Sequence, residues 1–317
     1  MAKIVVVGSL NMDLVATSPR IPVVGETIIG DTYFTEPGGK GANQAYAAAK
    51  LGGDVAMLGH IGDDEFGREM RENLLKVGCD ASGIRTEPGA SGVALIFVAA
   101  TGQNSIIVVP GANTKFTPAH VAADSHHLKG SKVVLLQLEN PTETVLAAAH
   151  AARNAGALVI LDPAPAPAIP LPAELIRTVD VMTPNETEAA ILAGLPPGRL
   201  QPDQAAQLGK ELQKRGAKTV VVKLGDQGCV LLSDGEPVLL PAPKVNAVDT
   251  TAAGDTFNAG FAVALSEGRS LADACRFANH AAALSVTRLG TQIAVPSRFE
   301  VDHFAKENSI AAVALAH

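Results

Sequence analysis

The chain has 317 residues, 47% of them hydrophobic, which is enough to bury a large core in one large domain with an appendage or in two domains. Its formal charge is −7, from 25 Lys and Arg against 32 Asp and Glu, and the absence of any basic run argues against nucleic-acid binding and favours a small-molecule partner. Three cysteines without CxxC spacing, and a longest apolar run (93–100) far short of the roughly 20 residues that span a bilayer, predict a cytoplasmic protein with reduced thiols and no membrane span.

Short β-branched runs predict the strands of a parallel sheet. They are IVVVG (4–8), VAMLGHIG (55–62), VVLLQL (133–138), ALVILDP (157–163), VDVMTP (179–184) and TVVVKLG (219–225). Their continuous apolar character is typical of strands buried on both faces. A helix is predicted over 203–215, because Ala205, Leu208 and Leu212 share one face and Gly216 follows the last turn. The alternation of strand and helix indicates an α/β fold with a parallel sheet wrapped by helices.

Two regions early in the chain interrupt this alternation. Residues 10–36 contain no good helix, and residues 92–113 have the pattern of two strands joined by a turn at ATGQN. Together they predict a small separate β-sheet that forms a flap over the main sheet. One apolar face of such a sheet must be covered by the main domain or by a second subunit.

The segment DTTAAGDTFNAG (249–260) has the pattern of an anion site. We expect NAVDT to end a strand and AAGDTFNAGFAVAL to begin a helix, which places Ala253, Gly254 and Asp255 at a helix N-terminus with unpaired backbone N–H groups. The helix dipole and the small side chains suit a phosphoryl group there. The Asp255 carboxylate would repel that anion, and a role as the base that accepts a proton from an attacking hydroxyl resolves the conflict. Judged on its own, an aspartate in a first helical turn is more often a simple cap.

A second glycine-rich turn, EPGGKGANQA (36–45), leads into the helix ANQAYAAAKLG. It lacks the GxGxxG pattern of a dinucleotide site and the GxxxxGK[ST] pattern of a P-loop, which argues against a nicotinamide-dependent dehydrogenase. Its local features fit a purely structural tight turn with a solvated lysine as well as they fit a binding site.

Polar residues at the ends of the predicted strands form a third group. They are Asn11 and Asp13, Glu139, Asn185 and Glu188, and residues 223–228. Each alone could cap a helix or a turn. Because the carboxyl ends of parallel strands lie at one edge of a sheet, the group as a whole predicts a site for a hydroxyl-rich ligand.

These segments resemble the ribokinase (PfkB-type) carbohydrate kinase family over residues 3–305. The motifs that carry the resemblance are GSLNMDL (8–14), GGKGANQA (38–45), GVALIFV (92–98), QLE (137–139), DPAPA (162–166), TPNETEA (183–189), LGDQG (224–228) and AVDTTAAGDTFNAG (247–260). The resemblance implies a single α/β domain over 1–317, with a three-layer αβα arrangement around a parallel sheet and a lid β-sheet from about 10–36 and 92–113. It also implies transfer of the γ-phosphoryl group of ATP to O5 of D-ribose, with Mg²⁺ and K⁺ as cofactors, and a homodimer formed through the lid.

The resemblance also implies roles for individual residues. Asp255 would be the catalytic base, and Ala252, Ala253 and Gly254 would form the anion hole. Besides Asp255, the residues that bind the sugar would be Asn11, Met12, Asp13, Gly39, Lys40, Gly41, Asn43 and Glu139. The residues that bind ATP would be Asn185, Lys223, Leu224, Gly225, Asp226, Gln227, Gly228, Gly254 and Asn279. The K⁺ site would comprise Asp249, Thr251, Ser285, Arg288, Gly290 and Ala294, and the Mg²⁺ shell would include Asn185 and Glu188.

The chain departs from the family pattern at several positions. Lys223 stands where threonine is frequent, Ala294 stands where serine can contribute to the K⁺ shell, and the tail NSIAAVALAH (308–317) matches no family segment. Other acceptors remain open, namely deoxyribose, fructose or a nucleoside, although 3% aromatic residues supply little stacking surface for a nucleoside. A sugar-binding regulator without catalysis is the alternative outside the enzymes, and the intact Asp255 and anion turn argue against it.

Overall fold

The structure is a computed structural model of the chain, and it describes residues 3–167, 169–308 and 310–315. The strands are β1 (Ile4–Val7), β2 (Asn11–Ser18), β3 (Thr32–Gly38), β4 (Val55–Gly62), β5 (Asp80–Glu87), β6 (Gly92–Ala99), β7 (Asn104–Val109), β8 (Val133–Leu136), β9 (Leu158–Leu161), β10 (Val181–Met182), β11 (Thr219–Lys223), β12 (Cys229–Leu232), β13 (Val238–Leu240) and β14 (Val313–Ala314). The helices are α1 (Lys40–Lys50), α2 (Glu65–Lys76), α3 (Pro118–Asp124), α4 (Thr142–Asn154), α5 (Ala173–Thr178), α6 (Glu186–Ala193), α7 (Pro202–Lys214), α8 (Ala253–Ser266), α9 (Leu271–Ser285) and α10 (Arg298–Glu307).

Within the described residues, ten strands form one sheet in the order β14-β13-β12-β11-β10-β9-β8-β1-β4-β5. In this order, all neighbouring pairs from β11 through β10, β9, β8, β1 and β4 to β5 are parallel, as the sequence predicts. The edge beyond β11 differs from the prediction, because β12, β13 and β14 pair antiparallel. The physical reason is the short turn between β11 and β12, which contains Gly228 at φ 96° and is too short to cross over to a parallel neighbour. Part of the C-terminal tail supplies β14, while residues 309, 316 and 317 lie outside the described residues.

The central strands are buried because helices cover both faces of the sheet. In β1, Ile4 and Val6 pack into a cluster with α1, α8 and α9, whereas Val5 and Val7 pack into another cluster with α4, α5, α6 and α7. Successive side chains of a strand point to opposite faces, so this continuous apolar run feeds two cores at once. Each fully buried side chain of this kind contributes about 1.5–3 kcal/mol to stability. The three-layer αβα arrangement follows.

Four other strands form a separate sheet in the order β3-β2-β6-β7. The central pair, β2 and β6, is parallel, and β3 and β7 pair antiparallel with their neighbours. At its base Asn11 pairs with Gly38 on one side and with Gly92 on the other. We call these four strands the lid sheet. That the whole chain folds as one domain stays a prediction.

Two local expectations about the turns are wrong. Residues 241–249 before α8 are irregular rather than strand, and the chain approaches the helix as a loop held by hydrogen bonds from Val248 and Asp249 N–H to the Val286 carbonyl. The expected extent of the glycine-rich turn 36–45 is also wrong: the turn is confined to Gly39, because β3 continues to Gly38 and α1 already begins at Lys40. In the part of the chain that the structure describes, no helix combines the length and apolarity required to span a membrane.

Candidate active site

The N-terminus of α8 is an unusual helix start. Among the described residues other than glycine, only Ala252 has a positive φ, at 54°, and it is the N-cap of this helix. A side chain rarely adopts this left-handed conformation, which bends the chain sharply into the helix. The first residues that follow, Ala253 and Gly254, carry little or no side chain and line a polar cavity of 360 Å³. The helix end therefore presents main-chain donors and the positive end of the dipole to that cavity.

Asp255, in the first turn of α8, is 6% exposed and is held by two amides. Asn43 Nδ2 donates to its Oδ2 at 3.3 Å, and Gln44 Nε2 donates to its Oδ1 at 3.0 Å. Burial raises the pKa of Asp255 to about 6, although the Lys40 ammonium acts in the opposite direction. A carboxylate with this pKa is ionised at neutral pH and is a better proton acceptor than an ordinary aspartate.

A polar cluster at the base of the lid sheet adjoins Asp255. Glu139 accepts hydrogen bonds from Ser9 Oγ, from Asn11 Nδ2 at 3.4 Å and from the Lys40 N–H at 3.0 Å. Burial raises the pKa of Asp13 to about 7, with further contributions from the charges of Glu36, Glu139 and Asp255. These carboxylates and amides, brought together from β2, α1 and the end of β8, are suited to the paired acceptors and donors of a polyol.

The glycine-rich turn before α1 is required by close packing. A Cβ on Gly39 would lie 2.6 Å from the Asn11 nitrogen, and one on Gly41 would lie 2.6 Å from the Gly8 carbonyl carbon. Gly39 also has φ 86°, a backbone angle that residues other than glycine rarely adopt. The turn thus brings Lys40 and Asn43 against the start of β2, where the polar cluster lies.

Two cavities meet at the start of α8. The polar cavity, 360 Å³, is lined among others by Lys40, Asp162, Asn185, Glu188 and Asp255, and a second cavity of 390 Å³ is lined mainly by apolar residues with Asn279. Lys223, Gly225, Thr250, Ala253 and Gly254 line both. An extended ligand with an apolar ring at one end and an anionic chain at the other would fit across this junction.

Lys40 is surrounded by carboxylates in the polar cavity. Burial acts to lower the pKa of Lys40, but the charges of Asp255, Asp162, Glu139 and Glu188 outweigh it and raise that pKa. The ammonium is therefore charged at any physiological pH.

Glu188 and Asn185 cap α6 at the edge of the same cavity. The Asn185 side chain accepts from the Glu188 N–H and the Glu188 carboxylate accepts from the Asn185 N–H, each at 2.8 Å. This is a capping box, so the helix-cap interpretation of these residues holds alongside any role in binding. Burial raises the pKa of Glu188, and the Lys223 charge opposes that rise.

Not every residue expected to bind ligand reaches a cavity with its side chain. Met12 is 0% exposed and Leu224 is 1% exposed, and both side chains lie in the hydrophobic cores. Gln227 Nε2 donates to the Leu200 carbonyl at 3.0 Å, while Asn279 Nδ2 donates to the Leu240 carbonyl at 2.8 Å. Met12 and Leu224 can therefore contact a ligand only through their main chain.

The segments expected to bind K⁺ lie side by side. Asp249 accepts from the Thr251 N–H at 2.9 Å and from the Gly290 N–H at 3.0 Å, and the Ser285 carbonyl accepts from the Arg288 N–H at 3.2 Å. The Arg288 side chain is engaged elsewhere, by Glu300 at 2.6 Å. Ala294 is buried and has only its main-chain oxygen to offer.

Four residues of the site were not predicted from the sequence: Gln44, Gln137, Asp162 and Gln292. Gln44 bridges Asp162 and Asp255, Gln137 Nε2 donates to Gln44 Oε1 at 2.7 Å, and Gln292 Nε2 donates to Asn43 Oδ1 at 2.9 Å. Gln44, Gln137 and Asp162 lie inside the motifs GGKGANQA, QLE and DPAPA, so position within a motif was the available signal. Gln292 comes from the far end of the chain, and its pattern gives no such signal.

Known proteins resemble this chain in sequence and in fold. The model of the pfkB family of carbohydrate kinases matches residues 1–298. The chain is 44% identical over 308 residues to the ribokinase of Bacillus subtilis, covering 95% of this chain and 99% of the relative, and 38% identical over 295 residues to the deoxyribokinase of Salmonella typhi, covering 93% and 95%. The structure is similar to that of Arabidopsis thaliana ribokinase complexed with ribose and ATP, with a TM-score of 0.89 and 38% identity over 96% of this chain and 99% of the other.

Proposed function

Because the chain belongs to the pfkB family of carbohydrate kinases, we propose that it transfers the γ-phosphoryl group of ATP to the O5 hydroxyl of D-ribose. The observation that carries the proposal is the position of Asp255, which lies between the polar cluster at the lid base and the cavity junction at the start of α8. The similarity to the Arabidopsis protein whose structure holds ribose and ATP supports the choice of both substrates.

The residues of the site have different roles in the proposed reaction. Asn11, Asp13 and Glu139 hold sugar hydroxyls, and the Asp255 carboxylate accepts the proton of the attacking hydroxyl. The main-chain donors of residues 253–255 and the Lys40 ammonium offset charge on the phosphoryl group as it moves. Such a transition state is loose, so positioning and electrostatic stabilisation contribute more than the strength of the base.

A divalent cation fits the polar cavity. Three buried carboxylates, Asp162, Glu188 and Asp255, line it together with the Asn185 side chain, and carboxylate and amide oxygens are the ligands that Mg²⁺ prefers. Burial raises the pKa of Glu188, and the Asp162 charge adds to that rise while the Lys223 charge opposes it. Asn185 and Glu188 would hold Mg²⁺, which would offset the charge of the ATP phosphates when bound.

A monovalent cation is the second proposed cofactor. The loops around Asp249 and Gly290 are joined by a hydrogen bond directly before α8, and they offer carboxylate and main-chain oxygens. K⁺ bound by these oxygens would stiffen the turn at Ala252 and so maintain the anion hole.

The lid sheet is the proposed dimer contact. Its strands expose large apolar side chains, among them Tyr33 (65%), Ile106 (53%) and Ile107 (57%), which a second subunit would cover.

The three cysteines of the chain are unpaired and buried, which suits the reducing cytoplasm we propose as the location of the protein.

Deoxyribose is the second candidate acceptor, because a relative 38% identical to this chain is a deoxyribokinase. The test is ADP release with a panel of ribose, deoxyribose, fructose and adenosine at equal concentrations. We expect the highest kcat/KM with ribose, since a site with paired polar groups is left with an unsatisfied group when a sugar hydroxyl is missing. If kcat/KM is higher with deoxyribose than with ribose, deoxyribose is the acceptor instead of ribose. Turnover with adenosine alone would refute the proposal that the protein is a sugar kinase.

A further inference from the structure

His60, Glu87 and His120 form a cluster outside the candidate active site. His60 lies on β4, Glu87 ends β5 and His120 lies on α3. Each side chain offers one possible metal-ligand atom, and these three atoms all lie within 4.8 Å of one another. None of the three residues lines either cavity at the start of α8. The cluster therefore lies apart from the two cavities proposed to receive ATP.

His60 is a buried histidine whose ring nitrogens are not satisfied. Its side chain is 1% exposed, and among the described residues neither ring nitrogen has a hydrogen-bond partner. Nδ1 lies 3.2 Å from Glu87 Oε1, but the two atoms do not form a hydrogen bond. Buried polar atoms without a partner destabilise a fold, and native proteins contain few of them. A ligand held between His60 and Glu87 would supply the missing partner.

The surroundings of His60 suit a metal ion as that ligand. Burial lowers the pKa of His60 to about 4, and the charges of His120 and Arg85 act in the same direction. The ring is therefore neutral at physiological pH, and neutral imidazole is the form that binds metal ions. The nearby Arg85 guanidinium is offset, because its Nε and one Nη donate to the Asp124 carboxylate at 2.7 Å each.

The three side chains match the ligands that Zn²⁺ prefers. Two imidazoles and one carboxylate form a known zinc ligand set, with metal–ligand distances of about 2.0–2.2 Å. Tetrahedral ligands at those distances lie about 3.4 Å apart, and His60 Nδ1 and Glu87 Oε1 are already 3.2 Å apart. Since no ligand pair is more than 4.8 Å apart, the His120 ring needs to move inward by about 1.5 Å or less.

His120 can make the outer hydrogen bond that usually accompanies a histidine ligand. Such a ligand donates its other ring N–H to an oxygen, and His120 Nδ1 lies 3.1 Å from Thr117 Oγ1. Glu87 and His120 are both half-buried, so an ion can reach the cluster from solvent. Three protein ligands leave the fourth tetrahedral position to a water molecule.

We propose that His60, Glu87 and His120 bind a Zn²⁺ ion that ties α3 to the edge of the main sheet formed by β4 and β5. Helix α3 follows the segment that leaves the lid sheet after β7, so the bound ion would brace this connection. The role is structural, and it is independent of the proposed kinase activity.

Calorimetric titration of the whole protein with ZnCl₂ tests the site, after treatment with EDTA, dialysis and addition of excess MgCl₂. Mg²⁺ prefers oxygen ligands and competes for the carboxylates of the polar cavity, whereas imidazole ligands favour Zn²⁺. We expect one Zn²⁺ to bind per chain and to raise Tm by a few degrees. Neither measurement uses nucleotide or sugar, so a protein without kinase activity would still give a clear result.

Two conservative variants each remove one ligand. His120→Gln keeps a glutamine at the third position of α3, where glutamine can form the same capping box, and Glu87→Gln keeps the shape of the side chain. Each should weaken Zn²⁺ binding by at least about tenfold to a hundredfold, the loss caused even by removal of an outer partner of a metal ligand. Each should also abolish the rise in Tm that Zn²⁺ produces.

The matched control is the exposed pair of His150 and Glu174, whose Nε2 and Oε1 atoms are 3.0 Å apart. His150→Gln/Glu174→Gln removes a histidine and a glutamate that have no second histidine in the pair, and it should leave Zn²⁺ affinity unchanged. A wild type that binds no Zn²⁺ in excess Mg²⁺ would overturn the proposal. So would wild-type affinity in both His120→Gln and Glu87→Gln, or an equal loss of affinity in the control.

Discussion

The Nε2 atom of Gln44 lies 3.0 Å from Oδ1 of Asp255, although the two residues are 211 positions apart in the chain. Because α1 and α8 pack against each other on one face of the sheet, this amide reaches the first turn of α8 and orients the carboxylate. The hydrogen bond stabilises the ionised form of Asp255 and lowers its pKa against the effect of burial.

The pH dependence of turnover follows from that balance. Burial raises the pKa of Asp255 to about 6, and a base must be ionised to act, so kcat/KM should rise with pH through about 6. Gln44→Leu removes the hydrogen bond and should move the inflection to higher pH. Rates of ADP release between pH 5 and 9 for both proteins measure this. An inflection that stays in place in Gln44→Leu would show that Gln44 does not set the pKa.

Gly39→Ala tests the close approach of the turn to β2. The change places a methyl group 2.6 Å from the Asn11 nitrogen at a φ of 86°, so both clash and strain are expected. Gly52→Ala is the matched control, since Gly52 has φ 87° but a Cβ there would lie 3.7 Å from its nearest neighbour, Arg298 Cβ. Strain alone should lower the free energy of unfolding by about 1 kcal/mol in Gly52→Ala.

Because of the clash, the free energy of unfolding of Gly39→Ala should be lower than that of Gly52→Ala by about 1 kcal/mol or more. It should also raise the KM for the sugar, because Asn11 and Lys40 shift. Urea unfolding and steady-state kinetics give both quantities. Equal stabilities for the two variants would mean that the turn relaxes and that close packing does not explain its glycines.

Replacement of K⁺ by Na⁺ tests the cation proposed beneath the turn. We expect kcat to fall, because a smaller ion would draw the loops of Asp249 and Gly290 together and distort the anion hole. Asp249→Asn should be slow in both salts and should lose the difference between them. A wild type that turns over equally fast in K⁺, Na⁺ and tetramethylammonium would contradict the site.

The lid sheet predicts the oligomeric state. Ile107, 57% exposed on β7, should lie in a dimer contact, and Ile107→Asp should convert the protein to a monomer in light scattering coupled to size-exclusion chromatography. Val24, which is fully exposed outside the lid strands, supplies the control Val24→Asp. A wild type that is monomeric at micromolar concentration would refute this contact.

The sequence pattern predicted the parts of the fold that repeat one simple rule. Continuous apolar runs such as IVVVG mark strands buried on both faces, and the small residues before Asp255 mark a helix start that can approach an anion. The antiparallel edge escaped prediction because the pairing direction of β12 depends on a short turn rather than on hydrophobicity. Gln292 is an ordinary polar residue in sequence, and only the fold brings the turn between α9 and α10 next to Asn43. Gln44 lies inside a motif, but its contact with Asp255 depends on the packing of α1 against α8.

The central claim is that the Asp255 carboxylate takes the proton of the attacking hydroxyl. Because the native pKa of Asp255 is raised above its unfolded value, stability from this group is full at low pH and is lost as pH rises through about 6. The amide of Asp255→Asn does not ionise, so this loss of stability does not occur in the variant. Above pH 6 its free energy of unfolding should exceed that of the wild type by about 3 kcal/mol. A measured gain in Tm would show that the variant is folded.

The most direct measurement is kcat for ADP release by Asp255→Asn at pH 8, with saturating ATP, Mg²⁺ and ribose. We expect a fall of about a hundredfold or more with the fold intact. A folded variant that turns over at a rate near that of the wild type would contradict the assignment of Asp255 as the base.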